Sequence, residues 1–223
     1  MNLLAIDTAC SVLSVAVARE DEIFFAETEA GVRHSELAMN MIDSQMKKAS
    51  LSPENLDGVI CMGGPGSFTG LRIGYSIAKG LALSLSVPFI AVPTLDCMAF
   101  NCEGIVFPAI DARKNSWFYA IYREEKRIKP AVEAAAAQIS DEIINTAETN
   151  NEKITLTGSG AVSLYASLTQ EALKHIIFEN KACGYAKELI AAARKQNKFE
   201  NNGATLYSGP EYIRKTDAEL NLR

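Results

Sequence analysis

The chain has little cysteine, little histidine, no excess of positive charge and no long unbroken apolar run. Its five cysteines (Cys10, Cys61, Cys97, Cys102, Cys183) are odd in number and show no CxxC spacing. That argues against a disulfide framework or a zinc site and for reduced, mostly buried thiols in a cytosolic protein. His34 and His175 are its only histidines and lie far apart in the chain, which does not support an imidazole-based metal centre. A net charge of −5 is the wrong sign for a protein that grips nucleic acid alone, because phosphate binding needs a basic surface. The longest apolar region, Ile77–Val92, carries Lys79 and is broken by Pro88, so it does not span a bilayer. No basic segment precedes the opening MNLLAIDTA, so no signal peptide is expected. These absences predict a cytoplasmic protein with no membrane partner.

What the chain does have is enough apolar material for a core. Its 223 residues are 48% hydrophobic and 22% charged, the balance of a globular protein built as one large domain or two small lobes. Leu3–Ile6 reads as a strand ending at the Asp7-Thr8 turn. Ser11–Ala18 and Glu22–Glu29 continue it as an antiparallel meander. From His34 to Ser50 the period becomes helical, with Met39, Ile42, Met46 and Ala49 on one stripe and Leu37 and Met41 beside it. Val59–Met62 is a buried-type strand, Gly70–Ser86 a second helix ended by Val87-Pro88, Phe89–Val92 a strand and Thr94–Asn101 a short helix. A second unit opens at Gly104, with strands over Ile105–Ile110 and Trp117–Tyr122 and an alanine-rich stretch over Ala131–Ala137. A helix over Ser140–Glu148 capped by Ser140, a strand over Ile154–Thr157, a helix over Gly160–Thr169, a strand over Lys174–Phe178 and a helix over Tyr185–Lys198 follow. This order predicts an α/β chain with lobes at 1–103 and 104–203 and a tail over 204–223 that returns toward the first lobe. It differs from a plain Rossmann sheet, which starts strand, glycine loop, helix.

Residues 63–74 read GGPGSFTGLRIG, five glycines in twelve positions. A Walker loop needs Lys-Ser/Thr after its last glycine, and here Gly70 is followed by Leu71-Arg72. A nucleophile elbow needs glycines two before and two after its serine, where Ser67 has Pro65 and Thr69. A dinucleotide loop needs an acidic residue closing the next strand, whereas Phe89–Val92 runs into Pro93. What is left is a structural turn in which Gly64, Gly66 and Gly70 bend the backbone and Ser67 or Thr69 caps the helix. Only the weak anion affinity common to helix N-termini remains. The helix beyond is apolar nearly all round, with Leu71, Ile73, Tyr75, Ile77, Ala78, Leu81, Ala82, Leu83 and Leu85 interrupted by Arg72, Ser76 and Lys79. Such a helix needs cover on both sides. Its own sheet supplies one side, and either another internal layer or a second protein supplies the other.

The series AIDTACSVLSVAV, RHSELA, GGPGSFTGLRIG with AKGLA, VPTLDCMA, DARKNSWFYAIY and PEYIR resembles the TsaB (YeaZ) family, from the N-terminus to about Tyr122 and again at Pro210–Arg214. The resemblance implies a two-lobed actin-like ATPase (ASKHA) fold, each lobe a mixed sheet with flanking helices. It implies a non-catalytic scaffold in the synthesis of threonylcarbamoyladenosine beside the anticodon of tRNA. Such a subunit pairs with the catalytic subunit TsaD, or with a second copy of itself, through the two helices after the meander. An ATPase subunit, TsaE, joins, and tRNA is met only through the complex. The interface then falls on Leu37, Met39, Met41, Ile42 and Met46 of the first helix and Leu71, Arg72, Tyr75 and Lys79 of the second.

In the catalytic relatives two histidines four apart hold a metal; the corresponding positions here are Thr94 and Met98, neither of which replaces an imidazole. No metal and no chemical step are therefore expected. His34 is expected at a surface or interface near the start of its helix, and His175 packed. Asp7 and Thr8 stand where the superfamily places its first phosphate-binding turn. They either touch phosphate or magnesium, or form a turn whose aspartate bonds its own backbone, and the second is preferred. ATP is left a weak role or one at a subunit interface. Asp111 and Arg113 match the family's DAR motif and are expected to form a local ion pair, while Ser116 and Phe118 stand where a glutamate and a tyrosine are usual. Two other functions compete. A stand-alone glycoprotease-like peptidase finds no recognisable arrangement in Ser67, Cys61 and two distant histidines. An actin-like ATPase would depend on Asp7.

Overall fold

The computed structural model describes residues 1–179, 184–196 and 208–214. The chain divides into two compact units, Met1–Cys97 with Cys183–Glu211 and Met98–Ala182 with Tyr212–Arg223.

In the first unit the opening apolar runs form the expected meander: β1 (Leu3–Asp7), β2 (Val12–Arg19) and β3 (Glu22–Glu29) are antiparallel neighbours. β4 (Gly58–Met62) joins β1 in parallel and β5 (Phe89–Val92) joins β4, giving the order β3-β2-β1-β4-β5. Both faces of the central strands are buried, which is why β1 reads as an unbroken apolar run and not an alternating one. Leu4, Ile6, Val15, Val17, Val59 and Cys61 meet α1 (His34–Lys48) and α2 (Phe68–Leu85) through Ile42, Met46, Tyr75, Ala78 and Ala82. α7 (Ala186–Lys195) packs on β1, β2, β4 and β5 with Leu189, Ile190, Ala192 and Ala193 buried. Its sequence is strongly amphipathic, but chain order alone assigned it to the second lobe. The packing places it in the first, and the boundary falls between Cys97 and Met98 rather than at 103.

The second unit repeats the strand order. β6 (Ile105–Asp111), β7 (Ser116–Arg123) and β8 (Lys126–Ala135) form a second meander, and β9 (Ile154–Thr157) and β10 (Ile176–Phe178) add in parallel, in the order β10-β9-β6-β7-β8. α4 (Ala136–Asn150), α5 (Ala161–Tyr165) and α6 (Gln170–Lys174) accompany them. Phe107 stacks on Tyr119 at 5.1 Å between centroids, in a core with Trp117, Ile139, Ile143 and Leu156. Ser140 lies inside α4 and not at its start; its hydroxyl donates to Ala136 O at 2.8 Å and accepts from Thr169 N at 3.2 Å. The helix expected over Gly160–Thr169 is a five-residue α5, and the strand expected from Lys174 begins at Ile176 after α6. Residues 197 and 198 of the expected last helix, Cys183, and the tail positions 204–207 and 215–223 lie outside the described residues. Among the described residues no helix is long and apolar enough to cross a membrane.

Candidate functional site

The glycine stretch bends the chain from β4 into α2 and packs against the turn that follows β1. Ser67 caps the helix, its Oγ accepting from Gly70 N at 3.2 Å. The Ser67 N–H donates to Ala9 O at 2.7 Å, and Thr8 Oγ1 donates to Gly70 O at 2.7 Å. Two backbones therefore run against each other: a Cβ on Gly66 would stand 2.7 Å from Ala9 O, and one on Gly70 would stand 2.0 Å from Thr8 O. Gly64 donates its N–H to Thr94 Oγ1 at 3.2 Å. Thr69 is exposed on the first turn of α2.

Asp7 and Thr8, considered for phosphate contact, are 2% and 1% exposed. Asp7 Oδ1 accepts from Ala9 N at 3.0 Å and Oδ2 accepts from Tyr185 N at 2.9 Å. Ser14 Oγ accepts from Ala186 N at 3.1 Å, and Glu27 Oε2 from Gly184 N at 2.7 Å. Three adjacent strands thus cap the N-terminus of α7, which supplies the amide donors such an end leaves open. Both oxygens of the Asp7 carboxylate are thus engaged by backbone amides of the fold. Burial pushes its pKa up to about 6, against the pull of the Tyr185 and Ala9 amides, with Glu188 adding to the rise. A carboxyl whose folded value is raised binds its proton more tightly folded than unfolded, so its contribution to stability falls as pH climbs from about 4 to 6. The difference is on the order of 2–3 kcal/mol. Burial lowers His34, which titrates with the opposite sign. Comparison of the wild-type chain with Asp7→Asn cancels that effect, since His34 is present in both. The stability of wild type relative to Asp7→Asn should rise as pH is lowered from 7.5 to about 5, and a flat difference in thermal melts across that range would contradict it.

The helix pair divides sharply. Ile42, Met46, Leu71 and Tyr75, expected at an interface, are buried. Ile42, Met46 and Tyr75 pack into the core of their own sheet, with Tyr75 edge-on to Phe89 at 5.4 Å. Leu37 and Met41 are half-buried against Leu13 and Ala38. Lys79 turns back on its own chain and donates from Nζ to Ser208 O. Of the expected set Met39, 48% exposed, and Arg72 do face outward, and they are joined there by two residues not expected, Phe68 at 38% and Leu83 at 67%. An open groove of about 460 Å³ lies between α1 and the start of α2, its apolar lining being Met39, Phe68, Ile73 and Ile77. Arg72 lies over the Phe68 ring, 3.8 Å from Cζ to centroid, an Arg–aromatic stack that stiffens the rim. Phe68 was missed because it sits inside the glycine motif; as the first residue after the cap it projects away from the sheet.

His34 is buried, not superficial, and its Nε2 has no hydrogen-bond partner. His175 is half-buried at the end of α6. Thr94 and Met98 are buried in α3 (Thr94–Ala99). Asp111 does not pair with the Arg113 guanidinium; its Oδ1 accepts the Arg113 backbone N–H at 2.6 Å. The ion pair of this region is made by Arg214, which donates to Glu133 Oε2 at 2.8 Å, Ala112 O at 3.1 Å and Ser116 Oγ at 2.9 Å. Ser116 in turn donates to Glu133 Oε1 at 2.6 Å. Glu133, on the neighbouring strand, thus supplies a carboxylate beside position 116, and Arg214 holds it below the usual range.

The family model described as "TsaD: tRNA N6-adenosine threonylcarbamoyltransferase" matches residues 26–222. The "tRNA threonylcarbamoyladenosine biosynthesis protein TsaB" of Bacillus subtilis (strain 168) is 38% identical over 128 residues, 55% of this chain and 56% of that protein. The TsaB protein of Escherichia coli (strain K12) is 33% identical over 150 residues, 65% of each. The chain therefore spans between about half and two thirds of these relatives' length. Among solved structures, "YeaZ from Pseudomonas aeruginosa" superposes with a TM-score of 0.77 at 22% identity, covering 95% of this chain and 99% of that one. The fold is shared throughout.

Proposed function

Because the chain belongs to the TsaB (YeaZ) family, within the group matched by the TsaD family model, we propose that it is a non-catalytic accessory subunit in the synthesis of threonylcarbamoyladenosine on tRNA. It docks a TsaD-like catalytic subunit through the α1–α2 face, in the cytosol. The observation that carries this reading is the groove in which Met39 and Phe68 stand in solvent beside the half-buried Ile73 and Ile77, on helices already anchored on their other side. The engagement of the described candidate groups within the fold supports an accessory role. Among the described residues no group of three or more His, Cys, Asp and Glu could hold a metal. Asp7 and Thr8 are engaged within the fold, Ser67 Oγ caps its own helix, and burial raises the Cys61 thiol away from reactivity. The net charge of −5 suits a subunit that meets tRNA, and a TsaE-like ATPase, only inside the assembled complex. The same face could pair two copies about a two-fold axis, since such a contact is self-complementary; this is the second reading.

Met39→Glu is expected to weaken binding of a TsaD-like subunit, measured by calorimetry, by at least about a hundredfold while leaving the thermal melt unchanged. An unpaired charge desolvated in an interface costs several kcal/mol, and 1.4 kcal/mol is tenfold. Wild-type affinity in the variant would refute docking on this face. Tyr75→Glu is unsuitable for the purpose, because it places a charge in the core of the chain itself.

A further inference from the structure

We propose that residues Ser208–Glu211 form a strap that tunes the docking groove, a proposal that rests on the docking reading above. The α2 wall of the groove runs from Phe68 to Ile77, and the strap grips the chain just outside both ends of that wall. Before it, Glu211 N donates to Gly63 O at 2.8 Å, and a Cβ on Gly64 would stand 2.3 Å from Glu211 O. Gly64 also takes a φ of +103°, so position 64 admits the strap both by its missing side chain and by its backbone conformation. Beyond the wall, Lys79 Nζ donates to Ser208 O. The ammonium is steadied by two rings, 5.5 Å from the Tyr75 centroid and 5.6 Å from that of Phe89.

The consequence is mechanical coupling within the first unit. Gly63 and Gly64 lead into Ser67, whose N–H and hydroxyl anchor the start of α2, and Phe68 follows at once. A seated strap therefore fixes the direction in which Phe68 and Arg72 leave the helix. Among the described residues none of the strap lines the groove, so a partner can settle there without displacing it. A partner that binds the strapped arrangement better must, by linkage, tighten the strap in return. Lys79 is accordingly a positioning residue and not a contact.

The test uses the full chain, a TsaD-like catalytic subunit as probe, and calorimetry. Glu211→Pro removes the N–H donated to Gly63, Lys79→Met removes the ammonium but keeps the stem, and Lys79→Arg restores a donor. Glu211→Pro and Lys79→Met should each weaken binding about tenfold, within the usual range of such couplings, and Lys79→Arg should recover most of the loss. Saturating partner should also slow deuterium exchange at the Glu211 amide. If the strap variants bind like wild type while Met39→Glu does not bind, the strap is wrong and docking stands. If the wild-type chain itself fails to bind, both fall. Should Glu211→Pro not fold by circular dichroism, the contrast between Lys79→Met and Lys79→Arg decides.

Discussion

Gly70→Ala is expected to destabilise the first unit by at least about 4 kcal/mol, in the range reserved for severe core lesions. The new Cβ would lie 2.0 Å from Thr8 O and 3.2 Å from the Ser67 Cβ. The first of these is backbone, so no side-chain rotation relieves it. Moving Thr8 away breaks the hydrogen bond from its hydroxyl to Gly70 O, 2.7 Å long and buried, and pulls on Asp7, which caps α7. Moving α2 away opens the core around Ala78 and Ala82. For a chain of this size the melting temperature should fall by roughly 10 °C. Gly80, ten residues along the same helix, is the internal control: nothing lies within 4 Å of a Cβ built there. Gly80→Ala should leave stability equal or raise it by up to about 1 kcal/mol, the helix propensity difference. Similar melts for the two variants would contradict the close-packing account of the glycine turn.

Ile190→Asp is expected to undo the first sheet. Ile190 is fully buried on α7, beside Leu189, and an ionised carboxylate there has no partner to offset its desolvation. Leu189 and Ile190 together stabilise the fold by about 3–6 kcal/mol through burial alone, a large share of the 5–15 kcal/mol that holds a typical domain folded. Loss of α7 also strands the Asp7 carboxylate, Ser14 and Glu27 without the amides they cap. Deuterium exchange should accelerate in β1, β2 and β4, on which α7 packs. Unchanged protection in those strands would show that the helix is an ornament of the sheet rather than one of its layers.

β1 to β5 and both long helices of the first unit were legible, because alternation and helical spacing follow directly from burial on one face or two. The same periodicity cannot say what covers a face. Ile42, Met46 and Tyr75 lie on apolar stripes as an interface would, yet those stripes meet their own sheet. Met39, on the same stripe, stands outside, and so does Phe68, which the glycine motif hid. β8 escaped notice since an edge strand carrying Lys126, Arg127, Lys129 and Pro130 lacks the apolar signature of a central one. The cap of α7 was beyond reach: Asp7 and Tyr185 are separated by 178 positions, and no local pattern joins them. Likewise Glu133 could not be matched to Ser116 without the register of β7 and β8, nor to Arg214, 81 positions away, by any local pattern.

Titration of methyl-labelled methionine chain with a TsaD-like subunit, followed by NMR, tests the docking face most directly. Met39 projects into the groove while Met46 and Met62 are buried in the core. Docking on the α1–α2 face predicts that the Met39 methyl signal shifts or broadens in step with complex formation while the Met62 signal moves little. A complex that forms fully with the Met39 signal unmoved would place the partner elsewhere on the molecule and contradict the account.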